Sequence, residues 1–165
     1  MRAGLFAAIL TVLPGLGLAQ GSAEVPFGGF SHDETLPVEI TAERLDLDQA
    51  AGSAVFTGEV KVGQGTLRLA ADRVEVFYDE EGTESGRVRR MVADGNVTLA
   101  NGSEAAEAEH ATYEVAAGTV AMEGDVLLTQ GQNALSGDRL SIDLNAGTAR
   151  LEGRVQTIFV PGARQ

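Results

Sequence analysis

From Leu36 onward, apolar positions recur every second residue, the spacing at which side chains return to one face of a β-strand. The alternation is organised around two recurring anchors. One is an acidic residue, a basic residue and an apolar residue: Glu43-Arg44-Leu45, Asp72-Arg73-Val74, Glu109-His110-Ala111 and Asp138-Arg139-Leu140. Apolar partners follow two positions later, at Leu47, Val76, Tyr113 and Ile142. The other anchor is a glycine followed by a polar residue and valine: Gly58-Glu59-Val60, Gly95-Asn96-Val97, Gly124-Asp125-Val126 and Gly153-Arg154-Val155. Phe56, Ala93, Met122 and Leu151 stand two residues before these glycines.

The step from the first anchor's basic residue to the glycine is 14 in units one, three and four, and 22 in unit two. The difference is an acidic insert from Asp79 to Gly86. Four units at spacings of 29, 37 and 29 residues indicate a stacked repeat. Turn-forming clusters separate the apolar runs at Gln49 to Gly52, Gly63 to Gly65, Asn101-Gly102, Ala117-Gly118, Gln130 to Asn133 and Asn145 to Gly147. A glycine recurring inside an alternating run predicts a bend, a bulge or a close backbone approach. Ser103 to Val115, taken alone, has the composition of a helix with Ser103 as N-cap. Its register with the sister units predicts a strand instead.

About four short strands per unit, roughly sixteen in all at ordinary strand lengths, predict an all-β fold. Each strand has one apolar face to bury. Two antiparallel sheets face to face, or one sheet folded on itself, satisfy this, with the repeats advancing along one axis and unpaired edges at the ends.

The N-terminus reads differently. Arg2, the apolar stretch Ala3 to Leu18 and the small residues Gly17-Leu18-Ala19 follow the layout of a secretory signal peptide cleaved near Ala19. The expected organisation is a signal peptide over 1–19, a flexible leader over 20–36, a β domain over 37–161 and a short tail over 162–165. The formal charge of −12 becomes −13 without Arg2 and argues against a nucleic-acid surface. The chain has no cysteine, so its stability rests on core and ladder.

Several stretches resemble the OstA-like domain family of LptA-type proteins. They are Leu36-Pro37-Val38-Glu39-Ile40, Phe56-Thr57-Gly58-Glu59-Val60, Gln64-Gly65-Thr66-Leu67, Ala70-Ala71-Asp72-Arg73-Val74 and the closing Arg154 to Pro161. The resemblance covers roughly Leu36 to Pro161. It implies an antiparallel β-jellyroll shaped as a groove and a periplasmic role in lipopolysaccharide transport. It implies lipid A acyl chains held inside, head-to-tail homo-oligomers, an LptC-like inner-membrane partner and an LptD-like outer-membrane partner. On the resemblance, the acyl-chain residues are Val38, Ile40, Leu47, Phe56, Val76, Leu99, Met122, Ile142 and Leu151. The partner-binding edges are Val38 and Ile40 at one end, and Ile158 and Val160 at the other. Gly28-Gly29-Phe30 and the scarcity of lysine depart from the family pattern.

Two rival readings stay open. Alternating faces ordinarily mean a packed core, so a secreted structural filament without lipid fits the pattern. An LptC-like relative with a retained anchor fits the domain. The recurring Arg44, Arg73, His110 and Arg139 could face anionic groups, or pair with the adjacent Glu43, Asp72, Glu109 and Asp138. With only His32 and His110 and no cysteine, neither a zinc site nor a cofactor is expected. No nucleophile elbow or phosphate loop occurs, and the carboxylates follow the repeat, so no enzymatic activity is expected.

Overall fold

The computed structural model describes residues 22–26, 33, 35–79 and 87–159. Among the described residues eleven strands make one antiparallel sheet: β1 (Ser22–Pro26), β2 (Glu39–Thr41), β3 (Arg44–Asp48), β4 (Ser53–Gln64), β5 (Leu67–Tyr78), β6 (Val88–Asn101), β7 (Glu104–Glu114), β8 (Thr119–Gln130), β9 (Asn133–Asp143), β10 (Thr148–Glu152) and β11 (Gln156–Ile158). The order is β1-β10-β9-β8-β7-β6-β5-β4-β2, with β3 also on β4 and β11 also on β9. The helix-like composition of Ser103 to Val115 yields to the repeat, and β7 is a strand.

Strands β4 to β9 are each 11 to 14 residues long, and each passes through a bend. The ladder slips at Thr57/Val60, Asp94/Val97 and Glu123/Val126, where the glycine anchors sit. The bends explain why about sixteen short strands become eleven. The glycine folds a strand without ending its pairing, so two expected strands are the two arms of one. Gly124 has φ +86 and the following Asp125 φ +44, a left-handed pair that only glycine enters freely at the first position. A Cβ on Gly124 would lie 2.7 Å from Oε2 of Glu109, so the acidic residue of one anchor lies directly over the glycine of the other.

Folding along this line of bends gives two facing leaves. One leaf is extended by β3 at one end and by β10 and β1 at the other. The second leaf ends on β2 and β11. The inward residues of both leaves form one apolar cluster running the length of the roll, from Val60 and Val76 through Leu99 and Met122 to Ile142 and Leu151. Two-residue loops that open with Gly65, Gly102 and Gly131, all at positive φ, close the rim of the second leaf.

Within the leader expected over 20–36, residues 22–26 form a strand. Ser22–Pro26 pairs along all of β10, from Ser22 opposite Glu152 to Pro26 opposite Thr148. The physical reason is that β10 ends the ladder and offers unpaired backbone groups that a short alternating segment can satisfy. The expected signal peptide, most of the acidic insert after Asp79, Val160 and the tail lie outside the described residues.

Candidate functional site

Three features of the roll carry candidate function: its interior, the mouth opposite the bends, and its two ends. Of the residues expected to meet acyl chains, Val76, Leu99, Met122, Ile142 and Leu151 are fully buried in the shared interior. Val38, Ile40 and Phe56 pack partly buried against it. Leu47 does not join them. It pairs across the ladder with Ala54 and is 53% exposed, because β3 is the last described strand at its end of the leaf.

The interior is packed shut. The space among Val62, Gln64, Leu67, Leu69, Met91, Leu99 and Tyr113 is about 10 Å³, room for one water at most. A much larger cleft of about 740 Å³ lies at the mouth. The segment Thr35 to Val38 forms one of its walls, with Val88, Arg89, Val115 and Ala116 opposite and Gln64 between.

The second leaf's rim is polar although buried. Gln64, Asn101 and Glu104 are each under 8% exposed and stand where the strands reach their turns. Gln130 Nε2 donates to Oε1 of Glu104 at 2.6 Å. Tyr113, on the opposite leaf, donates its hydroxyl to Oε1 of Gln64 at 2.8 Å, and Gln64 Nε2 donates to the Leu36 carbonyl at 3.2 Å. In the sequence, Gly63 to Gly65, Asn101-Gly102 and Gln130 to Asn133 read as turn signals, and Gln64 to Leu67 also as part of the family resemblance. The common place of Gln64, Asn101 and Gln130, four residues after Val60, Val97 and Val126, was the sign of a repeated amide row.

The outer face carries the charges. The basic residues do not pair with their acidic sequence neighbours, because adjacent strand residues point to opposite faces. Arg73, His110 and Arg139 fall instead into a cross-strand row in which Arg73, Asp94, His110, Glu123, Arg139 and Glu152 are successive register partners, while Arg44 stands opposite Thr57. Asp94 takes Arg73 at 3.3 Å and His110 at 2.8 Å. The guanidinium of Arg73 is raised above its ordinary range, chiefly by its hydrogen bond to Glu75, with further help from Asp94. Asp138 is paired not with Arg139 but with Arg154 at 2.6 Å, and that hydrogen bond holds its carboxyl below the ordinary aspartate value. These pairs are largely solvated and serve the surface. Among the described residues no cluster of three or more His, Asp or Glu side chains could hold a metal ion.

At the ends, large apolar side chains reach solvent. Leu45 and Leu47 of β3 are 55% and 53% exposed at one end, and Ile158 and Phe159 are 67% and 69% exposed at the other.

Residues 39–148 match the family described as LptA/(LptD N-terminal domain) LPS transport protein. An uncharacterized protein of Rhizobium meliloti is 31% identical over 90 residues, 52% of this chain and 48% of that protein. The lipopolysaccharide export system protein LptA of Escherichia coli K12 is 33% identical over 66 residues, 40% of this chain and 35% of that protein. The chain thus spans half or less of the length of these curated relatives. Among solved structures, LptH, the LptA-homologous periplasmic component of the lipopolysaccharide transport device of Pseudomonas aeruginosa, superposes with a TM-score of 0.69 at 19% identity. The superposition covers 78% of this chain and 99% of that one. At that identity the likeness is one of fold.

Proposed function

This chain belongs to the LptA/(LptD N-terminal domain) LPS transport protein family, and from that premise we propose that it carries lipopolysaccharide across the periplasm as a passive conduit. In this reading the acyl chains of lipid A lie between the leaves, and copies stack end to end between an LptC-like inner-membrane partner and an LptD-like outer-membrane partner. The observation that carries it is the single apolar interior running from Val60 to Leu151, with large apolar residues left exposed at both ends of the roll.

Carriage of this kind needs only the burial of methylenes, each contributing about 0.8 kcal/mol. A dozen buried methylenes contribute on the order of 10 kcal/mol before the costs of association. Because the interior is packed, the chains enter by parting the leaves at the mouth. The glycine bends act as the hinge, and the ladder inside each leaf stays whole. Val38 and Ile40 stand at the mouth and first edge, and Ile158 at the other end, as partner-binding positions.

A photo-crosslinker at Met122, fully buried on the inward row, tests this in cells. Capture of lipopolysaccharide from Met122 and not from Asp46, on the opposite face, is expected. Capture only from Asp46 overturns it. The close packing of the interior also suits a secreted filament that holds no lipid, and the same experiment separates the two.

A further inference from the structure

We propose that Ser22–Pro26 is a built-in cap on the β10 edge, which must leave that edge before a second copy of this chain can add its β3 there. The proposal rests on the end-to-end reading above and adds a control to it. Without β1, β10 would be the last strand of its leaf. With it, all five β10 residues, Thr148–Glu152, are matched one to one. The strand presented at the other end of the same leaf, β3, is also five residues long. The two therefore compete for one site of equal length.

The cap is a poor template for anything beyond it. It is short, it carries Glu24, and it ends on Pro26, which has no N–H to give a further strand. Meanwhile β11, on the other leaf at the same end, leaves Ile158 exposed. That end is therefore apolar and open on one leaf, but blocked on the other.

Chain length limits how firmly the cap is held. β1 and β2 stand at opposite ends of the ladder. Eight strand spacings amount to about 38 Å along the sheet. Pro26 and Glu39 are thirteen residues apart, a connection that reaches about 43–47 Å when fully extended. With little slack over that span, pairing within one chain carries an entropic cost. An incoming β3, already continuous with its own sheet and carrying Leu45 and Leu47, bears no such cost.

The chain has no cysteine, so a pair of substitutions reports the pairing cleanly. Glu24 and Arg150 are register partners. In Glu24→Cys/Arg150→Cys, oxidation of dilute protein should give an intrachain disulfide, and the locked protein should remain monomeric in sedimentation velocity. A chain lacking residues 22–26 should assemble at about one tenth of the parent's concentration or less, on the scale of about 1.4 kcal/mol per tenfold. A disulfide that forms only between chains overturns the cap. So does a parent that assembles but is unmoved or weakened by the deletion. If the intrachain bond forms and neither chain assembles at any concentration, the end-to-end reading falls and takes the cap's role with it.

Discussion

The Tyr113 hydroxyl donates a 2.8 Å hydrogen bond to Oε1 of Gln64, and these two residues stand on opposite leaves, 49 positions apart in the chain. Gln64 in turn holds the Leu36 carbonyl, so one side chain ties the segment before β2 to both leaves at the mouth. Tyr113→Phe removes the donor and leaves a buried amide oxygen without it, a loss of about 1–3 kcal/mol. Urea unfolding should show that loss. Amide exchange in the rim strands should also quicken more than exchange at the glycine bends. Equal quickening throughout would mean that the bond only contributes global stability.

The bends should tolerate substitution least. Gly124→Ala places a Cβ 2.8 Å from the Glu109 Cβ at a φ of +86. Left-handed strain of about 1–2 kcal/mol plus displacement of Glu109 should lower stability by about 2–4 kcal/mol. Gly102→Ala is the control: its φ is +61 but nothing lies within 4 Å of the added Cβ. It should cost about 1–2 kcal/mol, from strain alone. Equal losses in chemical denaturation would remove the Glu109 contact from the account.

Much of this was readable before any coordinates. The repeated anchors predict the class, the inward row and the position of the bends, because a two-residue period and a recurring glycine are local facts. What the glycine does was not readable. Gly124 and Glu109 meet only through pairing, and nothing local says that a bend keeps the ladder intact. The charge row was misjudged for the same reason: Arg73 sits beside Asp72 in sequence but opposite Asp94 in register. Leu47 keeps the apolar period yet lies in solvent, since the period shows which face a residue takes and not whether its strand ends the leaf. The strand at Ser22–Pro26 depends on an edge made more than 120 residues later, which no window around Val25 contains.

Acid should act on the last bend. The hydrogen bond from Arg154 lowers the Asp138 carboxyl below its ordinary 3.8. A depressed folded value contributes stability above the unfolded value and loses it as pH falls through the folded one. Asp138→Asn should therefore unfold earlier than the parent at neutral pH, and the two should converge below pH 3.8. Thermal melts across that range check this. A difference that persists into strong acid would assign the effect to packing against Gly153.

The ends can be separated from the interior. Leu47→Asp and Ile158→Asp alter side chains that are already more than half exposed, so folding should change by under about 0.5 kcal/mol. Each should abolish concentration-dependent association in sedimentation velocity. Mixing the two variants should restore only pairs, since each retains one sound end.

Lipid mass spectrometry of the protein purified from the cells that make it tests the central claim most directly. The account predicts lipopolysaccharide copurifying with the parent chain, and much less with a variant such as Met122→Asp that remains folded by circular dichroism. A parent chain that is free of lipopolysaccharide yet assembles end to end would contradict it and leave the structural filament as the function.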